Sequence, residues 1–140
     1  MAGKILNSDQ ALGQRLRDHD VKPTSQRLEI ARILFRRPAH MSADDVYIQV
    51  NRGKSYVSKA TVYNTLGLFV ERGLVREVLV DSSKVFYDSN TAPHHHFWDM
   101  DNHSLMDIEA DKVSIADLPA VPEGTEVEGV DVVVRLRRRS

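Results

Sequence analysis

Hydrophobic residues in the first half of the chain recur at the three- and four-residue spacing of amphipathic helices. This spacing predicts four short helices, over residues 9–20, 24–37, 42–53 and 58–73. Pro23 and Pro38 separate the first three, because proline interrupts a helix and restrains the residue before it. Residues of the type that caps helix starts stand at Thr24, Ser42 and Ser58. Gly73 is the residue type that most often follows a helix end.

Beyond the fourth helix the hydrophobic period shortens to two, as in strands with one buried face. Two alternating runs, residues 74–81 and 83–88, flank the turn Asp81-Ser82-Ser83 and predict a hairpin. Short helices followed by such a hairpin are typical of winged-helix DNA-binding domains. The exposed start of the fourth helix offers polar side chains to base edges and phosphates, at Lys59, Thr61, Tyr63, Asn64 and Thr65. The same helices also suit a protein-interaction module.

Charge divides the chain into a basic half and an acidic half. Residues 1–80 carry 13 Lys and Arg against 8 Asp and Glu, and residues 81–140 carry 6 against 12. The basic half suits a polyanionic partner, although uneven surface charge also arises without one. The length of 140 residues is enough for one domain or two very small ones.

The chain contains no cysteine, which excludes disulfides and thiolate metal ligands. No apolar run reaches the roughly 20 residues of a membrane span. Residues 1–14 lack the apolar core of a secretory signal. We therefore expect a cytoplasmic protein without a membrane partner.

The densest group of chemically active side chains is PHHHFWDMDN, residues 93–102. We predict strands over residues 97–101 and 105–109, joined by the turn sequence DNHS. Alternation along a strand puts His94 and His96 on one side and His95 on the other. Two imidazoles on one strand face can hold one metal ion, and carboxylates commonly complete such a site.

Four segments of the chain resemble the ferric uptake regulator superfamily of bacterial transcription factors. They are PTSQRLEIARIL, HMSADDVY, KATVYNTLGLFVERGLV and HHHF. They occur in the family's order, and the resemblance extends over nearly the whole chain. It implies an α+β fold with a winged-helix DNA-binding domain in residues 1–87 and a hinge in residues 88–93. Residues 94–140 would then form a small α/β domain for dimerisation and for sensing metal or haem.

The cysteine content departs from this family. Most relatives hold a structural zinc ion with two CxxC pairs, and the first pair here reads Asp99-Met100-Asp101-Asn102. A closed zinc site of that kind needs thiolates, so a structural Cys₄ zinc is excluded. The cysteine-free sequence is most similar to the iron response regulator branch of rhizobia and other α-proteobacteria.

The resemblance implies a regulatory site for a divalent metal ion that sets the relative pose of the two domains. His94 and His96 would be joined there by Asp107, and by His40 from the DNA-binding domain. Residue 87 is tyrosine where many relatives have glutamate, which leaves Asp88 as the adjacent replacement. This mixture of nitrogen and oxygen ligands suits Fe²⁺, Mn²⁺ or Zn²⁺ and does not choose among them.

Two further ligand sets follow from the same resemblance. A second metal site would use His95 and Glu109, with His103 either as a further ligand or as a solvated turn residue. Members of the iron response branch respond to haem, whose axial ligand candidates here are His94, His95 and His96. The residues that could line an apolar haem slot, or belong to an ordinary strand core, are Phe97, Trp98 and Met100.

Alignment with the family assigns base contacts in double-stranded DNA to Ser58, Lys59, Thr61, Tyr63 and Asn64. Tyr63 is expected to touch thymine methyl groups. Phosphate contacts are expected from Arg15, Lys22, Arg27 and Lys84. Family operators are AT-rich palindromes read by a homodimer, with a higher oligomer as the alternative. The dimer surface is expected at residues 130–136, where valines leave both strand faces partly apolar.

These features together predict a DNA-binding regulator of iron homeostasis, acting on genes for haem biosynthesis, iron uptake and iron storage. Its signal would be haem, a divalent metal ion, or both. A regulator of the same family that senses another metal, Mn or Zn, is the nearest alternative. A small His/Asp metalloenzyme is a more distant one, because no nucleophile or base stands out and the winged helix would be left unexplained.

Overall fold

The structure is a computed structural model that describes residues 8–36, 40–53, 56–81 and 84–139. The chain forms two units, Met1–Ala92 and Pro93–Ser140, and their boundary falls inside the segment where a hinge is predicted. Pro38 and the turn residues Ser82 and Ser83 lie outside the described residues, so their predicted roles stay predictions. In the described ranges no helix is both long and apolar enough to cross a membrane.

Four helices form most of the first unit: α1 (Asp9–Asp18), α2 (Ser25–Phe35), α3 (Ala43–Val50) and α4 (Lys59–Glu71). The predicted caps are confirmed, since the hydroxyls of Thr24, Ser42 and Ser58 each accept the backbone N–H three residues on. Asp45 accepts the backbone N–H of Ser42 in return and completes a capping box. Gly73 follows α4 with φ of +75°, a conformation that glycine adopts without strain.

The apolar faces of the four helices meet in one core. Side chains with no exposed surface come from every helix, and they include Leu16, Ile30, Val46, Val62, Leu66 and Phe69. Burial of each such side chain stabilises the fold by about 1.5–3 kcal/mol. Because α4 packs through one face, its opposite face stays accessible to solvent.

A small antiparallel sheet completes the first unit. It consists of β1 (His40–Met41), β2 (Arg76–Asp81) and β3 (Lys84–Asp88), in the order β1-β3-β2. Strands β2 and β3 are the predicted hairpin, hereafter the wing. The sequence pattern did not predict the two-residue β1, which pairs His40 with Asp88 and Met41 with Tyr87.

The second unit is built on a sheet of three strands, β4 (His94–Asp99), β5 (Ser104–Glu109) and β6 (Val133–Leu136). Their order is β5-β4-β6, with β4 antiparallel to β5 and parallel to β6. Together with the four helices, this sheet confirms the predicted mixed α+β fold. The helical content of the second unit's described residues is one 3₁₀ turn, Ala110–Lys112.

Two predicted boundaries in the second unit are wrong. Strand β4 begins at His94 and ends at Asp99, not at residues 97 and 101, because pairing with β5 extends it through the histidines. The sequence pattern did not predict the 3₁₀ turn Ala110–Lys112 that follows β5. Residues 113–132 then cross to β6 without a helix or strand, as a parallel pairing requires a long connection.

The turn between β4 and β5 is held by Asp99, which is only 3% exposed. Its carboxylate accepts the backbone N–H groups of Asp101 and Asn102 at 3.1 and 3.0 Å. Arg138 donates its guanidinium to Asp99 and its backbone N–H to the Asp101 carboxylate. These bonds form what we call the Asp99–Arg138 clamp, which ties the residues after β6 to the β4–β5 turn.

Candidate metal centre and nucleic-acid interface

His94, His96 and Asp107 converge within the second unit. The Nε2 atoms of the two imidazoles each lie 3.4 Å from the same Asp107 oxygen, Oδ1. The ring centroids of His94 and His96 are 4.5 Å apart. We call these three residues the His/Asp triad.

The register of the sheet explains this convergence. His96 stands opposite Asp107 on the neighbouring strand, and His94 lies two residues back on the same face. Residues opposite each other in an antiparallel pair point to the same side, so the three side chains are neighbours by backbone geometry. The predicted shared face of His94 and His96 follows from the same alternation.

The distances within the triad match a metal coordination sphere. Ligand bonds of about 2.0–2.2 Å in tetrahedral geometry put two ligand atoms about 3.3–3.6 Å apart. One ligand atom from each residue of the triad lies within 4.8 Å of the others. His96 is fully buried and His94 nearly so, whereas the Asp107 side chain is 52% exposed. The two imidazoles are therefore held in place by burial, and a metal ion could enter from the solvent side, where Asp107 lies.

His40 and Asp88 form a second pair of candidate ligands, within the first unit. They are cross-strand partners of β1 and β3, and His40 Nε2 lies 3.7 Å from Asp88 Oδ2. Asp88 is 1% exposed, and its other oxygen accepts the backbone N–H of Asn90 at 2.9 Å. Tyr87 belongs to the hydrophobic core, so Asp88 is the residue on the His40 side.

His95 has a different environment. Its Nδ1 accepts the backbone N–H of Val132 at 3.0 Å, just before β6 begins. The register sets Glu109 opposite His94 and sets His95 opposite Ile108. The sheet therefore does not bring His95 and Glu109 to one side, as the predicted second metal site requires. His103 lies in the β4–β5 turn and is exposed, in line with a solvated turn residue.

The polar face predicted for the start of α4 is largely present. Lys59, Tyr63 and Asn64 are exposed, and Thr61 is half-buried. Thr65 is buried, contrary to prediction, because it lies on the core-facing stripe with Val62 and Phe69. The Ser58 hydroxyl accepts the Thr61 N–H and donates to the Thr61 hydroxyl at 2.8 Å, so a base contact by Ser58 would compete with its cap.

The predicted phosphate-contacting residues differ in their local contacts. Arg15 lies over the ring of Phe35, 5.1 Å from the centroid. Arg27 donates to the Lys22 carbonyl at 2.9 Å, which braces the loop between α1 and α2. Lys22 is exposed in that loop, and Lys84 is half-buried on the wing. Of the four, Lys22 is the most accessible to a phosphate.

Sequence reasoning missed Asp44 as a neighbour of Lys59 and Tyr63, two of the side chains predicted to contact DNA. Its carboxylate lies 3.5 Å from the Lys59 ammonium and accepts the Tyr63 hydroxyl at 3.5 Å. The sequence does show acidic residues in the first turn of α3 and a lysine as the first residue of α4, which could form an ion pair. That signal has meaning only once the packing of the two helices is known.

A sequence model of the ferric uptake regulator family matches residues 18–134. The chain therefore belongs to the ferric uptake regulator family. Its curated relatives include the peroxide-responsive repressor PerR of Staphylococcus aureus (strain USA300), with 36% identity over 81 residues. That alignment covers 58% of this chain and 55% of the repressor, so the chain spans about half the length of such relatives.

Solved structures share the fold. The ferric uptake regulator from Pseudomonas aeruginosa with manganese superposes with a TM-score of 0.69 at 24% identity, covering 91% of this chain and 98% of that one. The ferric uptake regulator of Vibrio cholerae gives 0.68 at 20% identity, covering 90% and 98%. Proteins of this family are transcription regulators, not enzymes, and they bind DNA and form dimers. Other solved relatives are the ferric uptake regulator from Francisella tularensis with iron and a zinc-bound manganese uptake regulator.

Proposed function

We propose that the chain is a dimeric DNA-binding transcription regulator of iron homeostasis, whose DNA affinity responds to a divalent metal ion. The observation that carries this proposal is the His/Asp triad, which presents three convergent ligands in a chain that also has an exposed α4. Family membership supports the DNA-binding part. Genes for haem biosynthesis, iron uptake and iron storage are the proposed targets.

The proposed metal ligands are His40, Asp88, His94, His96 and Asp107. The geometry of each group supports the assignment by itself, since the triad and the His40–Asp88 pair both hold imidazole and carboxylate close together. Imidazole and carboxylate ligands suit Fe²⁺, Mn²⁺ and Zn²⁺ alike. We propose Fe²⁺ or Mn²⁺ as the physiological ion, with Zn²⁺ as an occupant in vitro. A regulator that senses Mn or Zn instead would use the same five residues.

Haem is proposed as a second signal. A groove of about 510 Å³ lies in the second unit. Its lining is mostly apolar by area and consists of Phe97, Ile108, Val113 and Val134 with the charged residues Asp107, Glu109 and Lys112. Its volume and apolar lining are typical of small-molecule sites, and Lys112 could meet a propionate. Of the candidate axial ligands His94, His95 and His96, His95 is on the sheet face of Phe97. Because His95 Nδ1 accepts the Val132 N–H, the proton of the neutral ring is on Nε2. Ligation of haem iron at Nε2 would move that proton to Nδ1 and break the hydrogen bond with Val132.

DNA recognition is proposed to follow the winged-helix mode. A homodimer would read an AT-rich palindrome through two copies of α4, with base contacts from Ser58, Lys59, Thr61, Tyr63 and Asn64. Phosphate contacts are proposed for Arg15, Lys22, Arg27 and Lys84. The proposed dimer surface includes Val130 and Val134, which are 37% and 38% exposed.

The decisive experiment measures DNA affinity by fluorescence anisotropy with metal-depleted protein, with Mn²⁺ or Fe²⁺, and with haem. The DNA is a duplex that the native protein selects from a random pool. We expect metal to change the affinity at least about fivefold, the usual scale of ligand coupling. His96→Ala should abolish this response, because it removes the fully buried ligand. His103→Asn is the matched control, since asparagine tolerates the positive φ of residue 103.

Equal DNA affinity with and without every metal would contradict metal sensing. A response kept by His96→Ala would exclude the triad as its site. A haem response alone, lost in His95→Ala and kept in His96→Ala, would favour haem as the only signal.

A further inference from the structure

Asp44 lies in the first turn of α3 and reaches the start of α4. One of its oxygens, Oδ1, is 3.5 Å from the Lys59 ammonium and accepts the Tyr63 hydroxyl at 3.5 Å. The side chains of Asp44 and Lys59 are 65% and 60% exposed, and Tyr63 is 47% exposed. A carboxylate therefore lies beside two of the side chains proposed to contact DNA, where it would repel phosphates.

The helix dipole of α4 gives this arrangement a physical reason. Lys59 is the first residue of α4, and the first turn of that helix contains no acidic residue. A cation at this position is repelled by the positive end of the helix dipole, which is unfavourable. Asp44 supplies the missing negative charge from α3, and the Tyr47 ring lies 5.7 Å from the same ammonium. Lys59 is thus restrained by a carboxylate and by an aromatic ring.

We propose that Asp44 is a positioning residue that determines DNA specificity, an inference that rests on the DNA-binding function proposed above. It restrains Lys59 and so limits the phosphate contact that this side chain makes with DNA of other sequences, a contact that adds affinity whatever the sequence. It also accepts the Tyr63 hydroxyl and orients that ring toward base edges. On the selected duplex Lys59 makes its proposed base contact, whereas on other DNA a released Lys59 would reach a phosphate instead. The restraint on Lys59 therefore weakens binding to DNA of other sequences most.

Asp44→Asn separates these two effects. The asparagine amide oxygen still accepts the Tyr63 hydroxyl, whereas the ion pair with Lys59 is lost. Glu71→Gln removes the same charge from the opposite end of α4 and serves as the matched control. The probes are the duplex selected by the native protein and a scrambled duplex of equal composition, titrated with the full Mn²⁺-loaded chain over a series of salt concentrations.

We expect Asp44→Asn to bind the scrambled duplex about two- to fivefold more tightly, the range set by an exposed ion pair. The salt dependence should steepen by about one unit, as for one added phosphate contact. Affinity for the selected duplex should change less than about twofold. In a Lys59→Gln background, Asp44→Asn should have no effect, because the residue it acts through is gone. Glu71→Gln should leave the ratio of the two affinities unchanged.

An equal gain on both duplexes, or a gain that survives Lys59→Gln, would show a general effect of surface charge and overturn the inference. An unchanged ratio in Asp44→Asn, with the native protein still preferring the selected duplex, would overturn only the role of Asp44. A native protein that binds no duplex preferentially would overturn the proposed function and this inference with it.

Discussion

At the scale of single residues, three consecutive histidines have different partners. His94 and His96 share a face and meet Asp107, whereas His95 accepts a backbone N–H from Val132. Strand alternation predicts which two histidines share a face, because it depends on local backbone geometry alone. The partner of His95 was not predictable, since Val132 is 37 positions away and reaches it only through the pairing of β4 with β6.

Asp99 should make stability depend on pH. Hydrogen bonds from the Asn102 backbone, and then the Arg138 charge, hold the pKa of the Asp99 carboxyl below its usual value. A carboxyl whose folded pKa is lowered stabilises the fold above the unfolded value of about 3.9, and this contribution is lost as pH falls through the folded pKa. Asp99→Asn should therefore lower the free energy of unfolding at pH 7, and the difference should vanish in acid.

Urea denaturation of native protein and Asp99→Asn between pH 7 and pH 3 measures this difference. Asp111→Asn is the control, because Asp111 is an exposed carboxylate in the 3₁₀ turn. A deficit that stays constant down to pH 3 would mean that the ionised carboxylate does not stabilise the Asp99–Arg138 clamp.

At the scale of elements, helix starts and strands joined by a short turn were predictable, whereas the pairings of β1 and β6 were not. Thr24, Ser42 and Ser58 cap the helices that follow them, because a cap needs only a side chain and an N–H three residues away. Strand β1 has two residues, too few for a periodic pattern, and it exists only because β3 pairs with it. The proximity of His40 and Asp88, which are proposed metal ligands, depends on that pairing and was implied by family resemblance alone.

The capping box of α3 should contribute measurably to stability. Ser42→Ala removes the acceptor for the Asp45 N–H and should lower the free energy of unfolding by about 1 kcal/mol. Ser25→Ala, at the exposed first residue of α2, removes a hydroxyl outside a capping position and should change it far less. Chemical denaturation of both variants tests this. Equal losses would assign the effect of Ser42 to something other than its cap.

At the scale of the whole molecule, the separation of basic and acidic halves follows the division into two units. The N-terminal unit carries the proposed DNA contacts, and the second carries the triad. The mixed fold was predictable, because the hydrophobic period changes from that of helices to that of strands after α4. The division into domains was implied by family resemblance, since the period does not change again at the boundary between the units. The parallel pairing of β4 with β6 was not predicted, because no sequence pattern in residues 113–132 indicates which strand β6 will pair with.

Chelation should separate stability from regulation in this protein. No cysteine is present to hold a structural zinc ion, so the DNA-free protein in EDTA should stay folded and unfold in one cooperative thermal transition. The same treatment of Mn²⁺-loaded protein should change its DNA affinity. Differential scanning fluorimetry and anisotropy on one sample test both statements. Loss of folding in EDTA would show that a metal ion is structural here.

The parallel pairing of β4 with β6 also bears on the order of folding. Contacts within α1 to α4 and the wing are mostly local, whereas the sheet of the second unit closes only when β6 returns across residues 110–132. Non-local strand pairing is slow because loop-closure entropy is lost before the contacts form. During synthesis, the first unit can therefore fold before β6 has been made and has paired with β4. In that interval the edge of the histidine strand is exposed to other chains, a period of vulnerability to aggregation that ends when β6 pairs with it.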